Sequence, residues 1–155
     1  MQRKFIFILS VFLTLSCSAI ADVLFMDLSH LADKADYICH VKVHTVTSRY
    51  EVYDSQLEMV MSHVRLEILE NIKGKLPTNV EIRSFGGEIN GRQYTPEDFP
   101  EFHNGEELVL FLKNFQGGVF TVGHFNGKKE IINGKIKGTN FSVSEFTAYI
   151  RSLIS

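Results

Sequence analysis

The sequence is poor in cysteine and proline, has no tryptophan and carries no excess of basic residues. With 16 Lys and Arg against 18 Asp and Glu, its formal net charge is −2. Nucleic acid is therefore excluded as a main partner, because contact with the phosphate backbone requires a basic face. The length of 155 residues suits one domain rather than two, and the hydrophobic fraction of 45% is typical of a globular fold.

No apolar run reaches the ~20 residues of a membrane-spanning helix, but residues 1–21 have the parts of an export signal. Arg3 and Lys4 begin it, an apolar stretch of about eleven residues follows, and small residues end it at Ala21. We therefore expect cleavage after Ala21, export to the periplasm or the exterior, and one mature domain at residues 22–155 with no membrane span.

A second interpretation of the leader stays open. Ser16 stands before Cys17 at the end of the apolar stretch, which resembles the lipid-attachment motif of bacterial lipoproteins and would anchor the chain at Cys17. Cleavage after Ala21 would instead remove Cys17 and leave Cys39 without a disulfide partner. We expect Cys39 to be buried and unreactive, because His40 points to the opposite face of a strand and cannot act as its base.

Hydrophobic periodicity indicates a mainly β chain. Alternating or short apolar runs predict six strands, at residues 37–48, 56–72, 79–85, 107–113, 119–125 and 129–137. The second would be about 50 Å long, so we expect it to bend. A short helix is predicted at residues 27–35, and a capping box at residues 142–145 predicts a C-terminal helix. The predicted fold is a small antiparallel Greek-key barrel of about five to six strands, flanked by these helices.

Three segments resemble landmarks of netrin-like domains and of tissue inhibitors of metalloproteinases. They are residues 35–43 (ADYICHVKV), residues 64–74 with Lys-Gly at the end, and residues 102–112 (FHNGEELVLFL). The resemblance implies a barrel of the oligonucleotide- and oligosaccharide-binding (OB) type. Exported bacterial proteins also resemble domains of this type. Inhibitors of that family bind the protease zinc through a disulfide-held N-terminal cysteine, whereas cleavage after Ala21 would place Asp22 there.

Residues 86–106 form the one long stretch that the periodicity leaves irregular, and such loops in compact domains are often functional. We expect binding here, with Tyr94, Phe99 and Phe102 as aromatic anchors and Arg92 as the isolated charge. In the alternative interpretation, Phe99 and Phe102 fold back and cap the open end of the barrel.

Catalysis is not expected, and we predict neither catalytic residues nor a metal or cofactor. His40 and His44 lie four apart on a strand, about 13 Å, which is too far to share one ion. His63 on the next strand could approach either, although exposed strand histidines are the ordinary alternative. His103 has no nucleophile nearby, and no glycine-rich loop opens a helix to hold phosphate.

These observations predict an exported, non-catalytic binding module whose partner is another exported protein or a peptidase. Two alternatives stay open: an inhibitor-like domain that acts on a secreted peptidase or metallopeptidase, and a small metal-dependent hydrolase.

Overall fold

The computed structural model describes residues 28–53 and 57–155. The predicted leader, its cleavage site at Ala21 and Cys17 lie outside these residues. Within them, helix α1 occupies residues 28–34, helix α2 is Val143–Ile154, and a 3₁₀ turn is His124–Gly127. The strands are β1 (Tyr37–Tyr53), β2 (Leu57–Lys73), β3 (Asn79–Phe85), β4 (Gly87–Ile89), β5 (Arg92–Tyr94), β6 (Glu107–Phe115), β7 (Gly118–Thr121), β8 (Lys128–Ile132) and β9 (Lys135–Ile136).

Seven of these strands form one antiparallel sheet in the order β3-β2-β1-β6-β8-β9, with β7 also paired to β6. Strands β4 and β5 form a separate hairpin. The sheet curls so that β3 approaches β7, where the rings of Phe85 and Phe120 stack with their centroids 5.8 Å apart. The predicted class, a mainly β antiparallel fold with a short N-terminal helix and a C-terminal helix, is confirmed.

The two longest strands, β1 and β2, form a bent hairpin. Their register shifts at three places, where Ile72, Leu69 and His44 have no residue opposite them. Such bulges increase the local twist and supply the bend expected of strands this long. Strand β1 runs to Tyr53 rather than ending near Ser48, because its ladder with β2 continues beyond the last apolar alternation.

Two groups of buried apolar side chains lie on opposite faces of the sheet. The outer core joins the sheet to both helices and includes Leu31, Ile38, Phe111, Phe146 and Ile150. The inner core fills the curl of the sheet and includes Val41, Val64, Ile82, Leu110 and Cys39. Neighbours on one strand, such as Ile38 and Cys39, are both fully buried because each faces a different core.

Cys39 is buried, as predicted. Its side chain is 0% exposed, and the loss of solvent raises the pKa of the thiol to about 12. The reactive thiolate is therefore scarce at neutral pH.

The ends of the chain's elements follow local chemistry. Ser142 caps α2 by accepting from the Glu145 amide, and the Glu145 carboxylate accepts from the Ser142 amide, so the predicted capping box is confirmed. Gly74 ends β2 with φ of +66°, and an added Cβ there would lie 2.6 Å from the Asp36 carbonyl oxygen.

Among the described residues, no helix is long and apolar enough to cross a membrane.

Two predicted strands end earlier than the sequence pattern indicated. The strand expected at residues 129–137 is a hairpin of β8 and β9, because Asn133 and Gly134 both adopt positive φ and turn the chain. The strand expected at 119–125 stops at Thr121, since a 3₁₀ turn takes over at His124.

Candidate functional site

Residues 86–106 are not wholly irregular, because they contain the β4–β5 hairpin. Asn90 and Gly91, with φ of 53° and 74°, form its turn, an Asn-Gly signal that the periodicity analysis overlooked. The hairpin lies over β1 and β2, where an added Cβ on Gly87 would collide with the hydroxyls of Ser48 and Ser62. Glycine at this position therefore permits the close approach.

Serine hydroxyls hold the segment to the sheet. Ser62 Oγ donates to the Gly86 carbonyl oxygen at 2.7 Å, and the Glu88 amide donates to Ser48 Oγ at 3.2 Å. These contacts attach the β4–β5 hairpin to the part of β1 and β2 that extends past Lys42, where the pairing of β1 with β6 ends.

Phe102 is a buried residue of this segment. Its side chain is only 6% exposed and belongs to the inner core. Lys128 holds the residues on either side of Phe102. Its ammonium group donates to the Glu101 carbonyl oxygen at 2.6 Å and pairs with the Glu106 carboxylate at 2.8 Å. It also lies 5.1 Å from the centre of the Phe102 ring. No local pattern in the sequence indicates this role, because the partners of Lys128 lie more than twenty residues away along the chain.

Phe99 takes a different position from Phe102. It is half-buried, and its ring centre lies 4.7 Å from that of Phe85 and 4.9 Å from that of His124. The structure thus places Phe102 within the inner core and Phe99 in a cluster with Phe85 and His124.

A cavity of about 280 Å³ lies between residues 86–106 and the β1–β2 hairpin. Three of the predicted anchors, Tyr94, Phe99 and Phe102, line this cavity together. Arg92 does not line it and is exposed on β5. The Tyr94 hydroxyl also lies 3.0 Å from the Tyr50 hydroxyl, which joins the end of β5 to β1.

The lining of the cavity contains two carboxylates and one imidazole, of His103. The carboxylate of Glu101 accepts from Thr95 Oγ1 at 2.6 Å and from Gln93 Nε2 at 3.3 Å. The hydrogen bond from Thr95 is the main cause that lowers the pKa of Glu101, so the group stays ionised at neutral pH. Glu88 adds a second carboxylate, and the described lining contains neither lysine nor arginine.

The structure pairs each strand histidine with glutamate and does not bring His63 together with His40 or His44 around a metal ion. His40 pairs with Glu107 at 2.6 Å, and His44 pairs with Glu67 at 3.2 Å. His63 instead lies between two carboxylates, and no three candidate metal ligands among the described residues are placed to hold an ion.

His63 joins three adjacent strands. Its Nε2 lies 2.7 Å from Glu51 on β1, and its Nδ1 lies 2.7 Å from Glu81 on β3. The ring is only 4% exposed. Carboxylates accept hydrogen bonds and do not donate them, so both contacts are hydrogen bonds only when the ring carries both protons.

The contacts with His63 contribute to lower pKa values of Glu51 and Glu81. Partial burial raises the pKa of Glu51, but hydrogen bonds from Arg49 and His63 outweigh it, and the net shift is downward. The hydrogen bond from His63 is the main cause that lowers the pKa of Glu81. The sequence pattern did not indicate this cluster, because its members are separated by 12 and 18 residues.

No protein-family model, curated protein or solved structure matches this chain. The resemblance to netrin-like domains and tissue inhibitors of metalloproteinases therefore stays a prediction.

Proposed function

We propose that this protein is a non-catalytic binding module that receives a basic side chain of an exported partner protein in the cavity under residues 86–106. The observation that carries the proposal is the composition of the cavity, in which aromatic rings lie beside an ionised carboxylate. A guanidinium or ammonium group is attracted both by carboxylates and by the faces of aromatic rings.

The site suits recognition because it is held in place before a ligand arrives. Two donors hold the Glu101 carboxylate, and Phe102 is fixed within the inner core. A ligand therefore meets groups that lose little conformational freedom on binding. Arginine is the favoured side chain, since its planar guanidinium both stacks on rings and donates to a carboxylate.

A titration with a minimal ligand tests this function. N-acetyl-arginine-amide is added to the purified, ¹⁵N-labelled exported protein, and amide shifts are followed by NMR. We expect saturable shifts in residues 86–106 with a dissociation constant of millimolar order, because one side chain buries little area. N-acetyl-citrulline-amide, which has nearly the same shape but no charge, should leave those amides unchanged.

Two glutamates of the same segment provide matched variants. Glu101→Gln should abolish the arginine-dependent shifts, whereas Glu97→Gln should retain them, since Glu97 is exposed and does not line the cavity. Equal responses to arginine and citrulline, or an unchanged titration in Glu101→Gln, would refute the proposed function.

A further inference from the structure

A second groove lies on the outside of the curled sheet, where β3 and β7 meet. Its volume is about 440 Å³, within the range of sites that bind small molecules. Four phenylalanine rings and one imidazole line it: Phe85, Phe99, Phe115, Phe120 and His124.

These rings form a continuous apolar floor. Phe85 and Phe120 stack at 5.8 Å, and Phe115 meets Phe120 edge-on at 6.0 Å. Phe115 keeps 43% of its surface exposed. Its ring therefore presents apolar area to solvent beside a groove that the described chain leaves open.

The groove is lined by lysines, whereas the cavity under residues 86–106 is lined by glutamates. Lys34 of α1 and Lys113 of β6 line it, and the described lining contains no aspartate or glutamate. Neither lysine forms an ion pair with any residue that the structure describes. Within residues 28–53 and 57–155, no carboxylate therefore competes with a ligand for either ammonium group.

We infer that this groove binds a free amphiphilic carboxylate of medium chain length. The alkyl chain would lie on Phe115 and Phe120, and the carboxylate would be held by Lys34 and Lys113. Charge complementarity selects an anionic ligand, because a cation of the same chain would meet two ammonium groups and no carboxylate.

Decanoate and decylammonium, which share the same alkyl chain, are suitable probes for NMR titration of the exported protein below their micelle concentrations. We expect decanoate to shift the amides of β7 and of Phe115 saturably, and decylammonium not to shift them. Equal binding of the two probes would overturn the inference, as would decanoate shifts confined to residues 86–106.

Charge-reversal variants locate the headgroup. Lys113→Glu should weaken decanoate binding about tenfold, since an attraction becomes a repulsion beside the ligand. Lys135→Glu is the matched control on β9, where the lysine is exposed and does not line the groove, and it should bind decanoate normally. Unchanged affinity in Lys113→Glu would refute the assigned headgroup site.

Two aromatic variants locate the alkyl chain. Phe115→Ala should lose decanoate binding, and Phe125→Ala, which changes an exposed ring outside the groove, should keep it. If Phe115→Ala does not fold, Lys113→Glu at an exposed position still decides the question. Phe85 and Phe99 line both sites, but Lys113 and Phe115 line the groove and not the cavity under residues 86–106. The arginine titration of Lys113→Glu and Phe115→Ala is therefore a separate measurement. If the protein binds phosphatidylglycerol vesicles but not decanoate, the ligand is a membrane surface rather than a free carboxylate, and the inference is wrong.

Discussion

The imidazole of His63 and the carboxylate of Glu81 lie 2.7 Å apart on neighbouring strands, although His63 is directly opposite Arg83 in the ladder. The contact is thus diagonal across β2 and β3, while the other ring nitrogen reaches Glu51 on β1. A single side chain consequently links three adjacent strands of the seven-stranded sheet, and this contact should give the stability of the fold a measurable pH dependence.

Acid should weaken the fold through this cluster. The pKa values of Glu51 and Glu81 are lowered in the folded state, so both groups stabilise it above their ordinary value of 4.5. That stabilisation is lost as the pH falls through the folded pKa values. Urea unfolding followed by circular dichroism should therefore show a falling free energy of unfolding between about pH 5 and pH 3.

The variant His63→Gln should reduce that slope and cost about 1–3 kcal/mol at pH 7, because two carboxylates lose a partner. Some slope should persist, since the pKa of Glu130 is also lowered, mainly by its hydrogen bond from Lys137. His44→Gln is the control, as His44 is exposed. Identical pH profiles for the wild type and His63→Gln would contradict the assigned role.

Phe102 and Phe99 should respond differently to truncation. Phe102→Ala opens the inner core and should cost about 3–5 kcal/mol, with a drop of several degrees in the melting temperature. Phe99→Ala should cost clearly less, because its ring is half-buried. Thermal unfolding of both variants checks this, and equal losses would mean that the two rings share one role.

Cys39→Ala should cost on the order of 1 kcal/mol from lost packing and leave binding unchanged. The native protein should react with a thiol reagent only as fast as it unfolds, because the side chain is fully buried. Rapid labelling under native conditions would show that the thiol is accessible.

We predict export with cleavage after Ala21, so the mature protein should begin at Asp22 and carry no lipid. Intact mass measured after export decides this directly. A species that begins at Cys17 with acyl chains would establish the alternative interpretation of the leader.

Much of the secondary structure follows from local pattern. Strand β3 was predicted with its observed bounds, and the capping box of α2 was predicted at the residues that form it. Both depend on interactions within a few residues, either alternation along a strand or hydrogen bonds across one helical turn. The β4–β5 hairpin was equally local, and Asn90-Gly91 could have revealed it.

The candidate site could be predicted only in part. Its segment and three of its aromatic residues were expected, but the positions of Phe102 in the inner core and of Arg92 outside the cavity were left open by the sequence. The pairing of His63 with Glu51 and Glu81 was not anticipated at all.

By itself, then, the sequence determined the strand and helix types, the burial of Cys39 and the helix cap, since periodicity and capping act between near neighbours. Only the tertiary structure decided which carboxylates meet His63 and which side chains enclose the cavity. Both depend on the register and bulges of long strands, and these bring together residues whose separation along the chain carries no local signal.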